Sequence, residues 1–272
     1  MYDFNTVGPG APMMAPRVDP LREEKYRKMK STKIGIALIL GTIGCLLIGA
    51  LATPVPCIGA LLGLGALGLG IAGYVMMIKG GDAIEGPHRT LVITSIVVIS
   101  IAVFGSVVIA VMGAMASMGS LMGSAWDGTF TGQDLKDYFE SLLPLIYVGV
   151  VTNILISIAF VLIFIQPSKK WGKVMIGIYI GLSVIMIPAS SYVSYTMTKD
   201  IIDDIDVAAD YDQEKLEEFQ NDQTSNNWIV SVMRVPEYVL LLIIGFGALF
   251  NVKKMEQELE PKLDPRLYSI NM

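Results

Sequence analysis

Residues 34–78 read IGIALILGTIGCLLIGALATPVPCIGALLGLGALGLGIAGYVMMI, and no position in the stretch carries a charged side chain. A helix needs about 20 apolar residues to cross a hydrocarbon core about 30 Å thick, so the stretch is long enough for two passes. The TPVP in its middle decides between one long rod and a hairpin. Pro54 and Pro56 have no amide hydrogen and push the residues before them out of helical conformation. The chain therefore turns there, leaving a first span over 34–52 and a second over 57–78.

The rest of the chain repeats the theme. Further apolar runs occupy 91–114, 142–165, 174–197 and 228–250, six spans in all. Of the 272 residues 53% are hydrophobic and only 17% charged, against about 25% charged in soluble domains, and the mean hydropathy is +0.58. The charge deficit is concentrated in the long runs, so the expected class is an all-α, polytopic membrane protein. The segment 1–33 stays polar until the first run and shows no basic-apolar-cleavage pattern of a secretory signal, so the first run is expected to remain as a helix.

Charge orients the spans. The segments 1–33, 79–90, 166–173 and 251–272 hold sixteen Lys and Arg, whereas 53–56, 115–141 and 198–227 hold three; Arg234 is the remaining one. Basic residues are retained on the cytoplasmic side of a membrane. The alternation predicts a multi-pass protein of the cell membrane with both tails cytoplasmic: a partly disordered tail over 1–33 with a basic end, a six-helix domain over 34–250, and a second tail over 251–272. The outer face is acidic, with fourteen Asp and Glu in two loops. Trp126, Tyr138, Tyr192, Tyr195 and Trp228 fall near the outer boundary and Trp171 near the inner one, where amphipathic rings prefer to lie.

Each outer loop carries a helical pattern. Thr131 or Asp134 offers a cap before Leu135, Tyr138, Phe139 and Leu142, and Ile201, Ile202, Ile205, Ala208 and Ala209 line one side ahead of Leu216 and Phe219. Two short amphipathic helices are expected, lying on the outer surface or capping the bundle. Asp203, Asp204, Asp206 and Asp210 supply oxygens of the kind calcium takes, without the glycine turn and closing glutamate of a calcium-binding hand. A cation-concentrating pore mouth is another use of the acidity. The plain reading is a solvated face.

Small residues set the packing. Gly59, Gly63, Ala66, Gly70 and Gly73 recur at steps of four and three on the second span, and Ala37, Gly41 and Gly44 do so on the first. In lipid such seams let backbones approach and gain van der Waals contact. The expectation is a tight hairpin, with a pore-lining glycine face as the alternative. The inner turns and acidic outer segments of spans two and three are weakly echoed by spans four and five, as in a parallel repeat.

One span is charged. In 228–250, WIVSVMRVPEYVLLLIIGFGALF, the 13 residues after Glu237 make only about 20 Å of helix, so both Arg234 and Glu237 must enter the membrane. Three positions apart, they share a face and can pair. Pro236 frees the carbonyl of Val232, which the guanidinium can reach. A charge in a span is costly and marks a candidate site. Asn153, Ser190, Ser191 and Ser194 are the polar groups expected at similar depth, and together the six form a candidate cluster that holds the bundle or a partner, or lines an outward cavity.

Other chemistry is sparse. Cys45 and Cys57 are read as packing residues, a disulfide between them being the alternative. His88 stands alone in a polar loop, too isolated for a haem or zinc. No cofactor or metal is expected. There is no nucleophile elbow, phosphate loop, HExxH or pair of intramembrane carboxylates, so the chain is not expected to be an enzyme. The expected role is a non-catalytic structural or accessory subunit, or scaffold, of a membrane complex. The alternative is a small-solute or ion transporter or channel. Expected partners are the lipid bilayer and a protein partner or second copy, with no nucleic acid.

Overall fold

The computed structural model describes residues 20–52, 56–125, 130–211 and 213–260. Seven helices account for most of them: α1 (Pro20–Leu51), α2 (Pro56–Gly80), α3 (His88–Ala125), α4 (Gly132–Phe164), α5 (Lys170–Asp203), α6 (Gln213–Met233) and α7 (Val235–Leu259). Six helical stretches are long and apolar enough to cross a membrane; the sixth is formed by α6 and α7 together. A single helical turn, Gly81–Ala83, links α2 to α3. The only strands among the described residues are β1 (Phe130–Thr131) and β2 (Asp210–Tyr211), paired antiparallel.

The helices outrun the apolar segments. α4 has 33 residues and α5 has 34, about 50 Å each at 1.5 Å per residue against a core about 30 Å thick. α1 likewise absorbs the basic segment before the first apolar run. Its first turns meet the end of α7, where Arg22 donates to the carbonyls of Glu258 (3.1 Å) and Leu259 (3.2 Å). A cation there satisfies the orphan carbonyls of a helix C-terminus and complements its dipole. Lys33 pairs with the buried Glu256 in the same region. The two described ends therefore share one face of the bundle, the tail face.

α1 packs most extensively on α2, as the hairpin reading requires. The contact runs through Gly35, Gly73 and Gly80. A Cβ on Gly35 would lie 2.8 Å from the Gly73 oxygen, and one on Gly80 would lie 2.1 Å from Thr32 Oγ1 and 2.4 Å from the Lys28 oxygen. Toward the turn that joins them the contact is looser: a Cβ on Gly49 would lie 3.9 Å from Leu62 Cβ and one on Gly65 3.9 Å from Cys45 Sγ. A Cβ on Gly70 would be an ordinary 3.6 Å from Thr42 Oγ1, and at Gly63 and Gly44 nothing comes within 4 Å. Ala66 is buried, Gly41 would meet Leu69 at 3.1 Å, and Ala37 faces outward. The α1 seam is thus corrected: Gly35, two residues before Ala37, makes the close approach. Gly59 lies outside the described contacts. The main core fills the space among α1, α4, α5 and α7 with Ile36, Ile43, Phe160, Phe164, Tyr179 and Leu241.

At the opposite end the protruding parts of α4, α5 and α6 form a cap. Leu135 and Phe139 pack with Ile201, Ile202, Ile205, Tyr211 and Phe219 into a second core. Phe219 meets Phe139 and Tyr211 edge-on, with centroids 6.2 and 5.7 Å apart. The expected pair of short amphipathic helices is therefore corrected. The first is the opening of α4, because no helix stop separates it from the span. The second is divided among the end of α5, β2 and α6. Thr131 caps α4, its Oγ1 accepting from the Asp134 amide at 3.2 Å. Ala208 is exposed, and the side chain of Leu216 lies outside the described residues.

Gly132 closes this cap. A Cβ there would sit 2.0 Å from the Asp206 oxygen, while the Gly132 amide donates to Ala209 O at 2.9 Å. Gly132→Ala is expected to cost the cap about 1–3 kcal/mol by overpacking against backbone. Hydrogen exchange should accelerate over 130–139 and 201–211 and stay unchanged in α1 and α2. Unchanged exchange in the cap would refute the contact.

Candidate functional site

The sixth span is broken where its charge lies. α6 ends at Met233, Arg234 forms the turn with φ −89° and ψ −6°, and Pro236 opens the first turn of α7. Proline suits a first helical turn because the amide it lacks would be unpaired there anyway. The Arg234 carbonyl accepts the amides of Glu237 (3.1 Å) and Tyr238 (3.3 Å), which restarts the helix.

That turn aims the guanidinium inward. Arg234 donates through Nη2 and Nε to Glu237 Oε2 at 3.0 and 3.3 Å, and through Nη1 to Asn153 Oδ1 on α4. The Tyr238 ring lies 5.5 Å from the guanidinium carbon, a cation–π arrangement. The Arg234 side chain is 12% exposed and that of Glu237 only 1%. An arginine so enclosed needs its donors matched; the two acceptors supplied here come from two different helices. The guanidinium goes to these two side chains rather than to the Val232 carbonyl.

The cluster expected from sequence is therefore half assembled. Arg234, Glu237 and Asn153 come together as one network. Ser190 and Ser191 instead turn back on α5, donating to the Ile187 carbonyl at 3.1 and 2.8 Å, and Ser194 lies a further turn along the same helix. Three residues that sequence reasoning passed over lie closer. The Tyr179 hydroxyl is within electrostatic range of Glu237 and Arg234 and beside Ser157 and Ser183. Glu237 Oε1, Ser157 Oγ and Ser183 Oγ are buried without a hydrogen-bond partner among the described residues.

Between the α1–α2 hairpin and the break in the sixth span lies a cavity of about 370 Å³. Arg234, Asn153, Ser231 and Tyr238 line one side and Cys45 and Gly63 the other. Nearby, Trp228 donates from Nε1 to the Leu51 carbonyl at 3.3 Å, tying α6 to the end of α1. Gly63, read from sequence as part of a packing seam, faces this space. Cys45 carries a free thiol; the Cys57 side chain lies outside the described residues.

Elsewhere the structure relocates other candidates. His88 is not in a solvated loop. It is the first residue of α3 and fully buried, and neither ring nitrogen meets a partner among the described residues. Asp203, Asp204 and Asp206 are exposed on the cap, and Asp206 Oδ1 accepts from the Ala208 amide at 3.0 Å. Among the described residues, no three His, Cys, Asp or Glu gather as a metal site. A polar relay does cross the bundle: Tyr74 donates to Ser95 Oγ at 2.8 Å, because the single serine proton goes to Ala159 O at 2.9 Å. It ties α2, α3 and α4 together at one level. No protein-family model, curated protein or solved structure matches the chain.

Proposed function

We propose that the chain is a non-catalytic structural or accessory subunit of a cell-membrane assembly, its tails cytoplasmic and its acidic cap outside. The observation that carries the reading is how the embedded charges are used. Arg234 and Glu237 neutralise each other, and Asn153 takes up a further donor of the arginine, so the pair joins α4 to the break between α6 and α7. A buried ion pair that reaches a second helix through a side-chain amide staples the two helices. The cap supports the reading further, since a folded acidic surface with its own core is available to a partner outside the bilayer. The sixteen-to-three division of basic residues supports the orientation.

A second reading rests on the cavity beside Arg234. At about 370 Å³ it has room for a small solute, and an outward-facing transporter or channel would need such a chamber. Two experiments separate the readings. Tagged protein extracted in mild detergent should carry a stoichiometric companion through size exclusion, and Asp203→Lys with Asp204→Lys should release it. Purified protein in liposomes should move no solute. Robust uptake would defeat the subunit reading and favour the second. Reporters fused to either tail should be active only in the cytoplasm; an external signal would refute the orientation.

A further inference from the structure

Most of the hydroxyls whose bonds are seen in the apolar helices are satisfied within their own helix. Thr32, Thr42, Ser190, Ser191 and Thr196 each donate to a carbonyl three or four residues earlier, the usual way a helix satisfies a hydroxyl without water. Ser157 on α4 and Ser183 on α5 do not. Their residues are 7% and 6% exposed, and neither Oγ has a partner among the described residues. The Tyr179 hydroxyl lies close to both.

These three hydroxyls floor a groove of about 390 Å³ between α4 and α5. Its walls are Ile154, Ile158, Val161, Ile180, Val184 and Pro188. Ile154, Ile158, Ile180 and Val184 are exposed at its lips, so it opens sideways on the flank of the bundle. Counted at 1.5 Å per residue from the tail-face ends of the apolar runs, at residues 165 and 174, Ser157 is about 12 Å deep and Ser183 about 14 Å. Both depths fall near the middle of a core about 30 Å thick. Pro188 lacks the amide that the Val184 carbonyl would otherwise receive, which adds an acceptor beside the same lip.

We infer that this groove binds a neutral lipid without a polar headgroup, carrying one hydroxyl or carbonyl that docks on Ser157 and Ser183. The walls ask for hydrocarbon, and the floor asks for a single hydrogen-bonding oxygen. A saturated chain fills the walls and leaves the floor bare, since buried polar groups are stable only when bonded. A phospholipid brings oxygens, but its charged headgroup holds them at the interface, because charge is excluded from the bilayer centre. A headgroup-free lipid alone carries an oxygen to this depth. Hydroxyls both donate and accept, so the floor takes an alcohol or a ketone.

The test compares two probes of equal length on purified full-length protein in detergent: 1-dodecanol and dodecane. Dodecanol should raise the unfolding temperature of the parent more than dodecane does. In Ser157→Ala with Ser183→Ala the dodecanol preference should vanish, with the half-effect concentration rising about tenfold, the equivalent of one lost hydrogen bond. This variant removes two hydroxyls without adding bulk, and an unchanged response to dodecane would show that the fold and the walls are intact. Equal shifts by both probes in the parent, or a dodecanol preference that survives in the variant, would overturn the inference.

Discussion

Arg234→Ala lowers the unfolding temperature of the detergent-solubilised protein by several degrees, through a loss of about 3–5 kcal/mol. That is the range expected when one partner of a buried pair is removed and the other is left uncompensated. Here the survivor is Glu237, whose side chain is 1% exposed and whose Oε1 already lacks a partner among the described residues. Losing Arg234 strands both oxygens. The double change Arg234→Met with Glu237→Leu removes both charges at similar volume and should recover most of the loss, since apolar replacement of a buried pair is often neutral or better. Thermal unfolding followed by circular dichroism reads all three proteins. A double variant as unstable as the single one would mean that the pair does not act as a staple, and the subunit reading would lose its support.

The second large effect has opposite signs along one helix pair. Gly35→Ala and Gly80→Ala should each destabilise by about 1–3 kcal/mol, because the added methyl meets backbone that cannot give way. The nearest backbone atoms would be 2.8 Å from the new carbon at position 35 and 2.4 Å at position 80. Gly44→Ala and Gly63→Ala put the same methyl into open space. Alanine is the better helix former by roughly 0.5–1 kcal/mol, so these two changes should be neutral or stabilising. The same unfolding assay decides. A uniform response at all four positions would show that Gly35 and Gly80 do not make the close approach described.

How much of this could be read from residues alone depends on the range of the signal. The six long apolar helices were legible because 20 uncharged residues have few other uses, and the first hairpin because Pro54 and Pro56 punctuate it. The pairing of Arg234 with Glu237 followed from a three-residue step, and Asn153 from being a side-chain amide inside a span. The phase of the α1 seam was not legible. Small residues stand at 35, 37, 41 and 44, and three of them fix a helical face only to within a residue or two. Ser157 and Ser183 were passed over because a serine in a span normally bonds its own helix, as Ser190 and Ser191 do; only the rotamers distinguish them. The cap was half legible. The periodicity marked Leu135, Phe139, Ile201, Ile202, Ile205 and Phe219 as one-sided, but local periodicity cannot show that segments more than sixty residues apart bury against each other.

The break at Arg234 also sets how motion can pass between the two ends of the molecule. α6 is anchored at one end in the cap by Phe219 and at the other by the guanidinium that holds α4. It is a stiff strut of 21 residues, about 30 Å long, hinged where the chain has no continuous hydrogen-bond ladder. The cap therefore connects to α7 through the turn at Arg234, the same residue whose guanidinium holds α4.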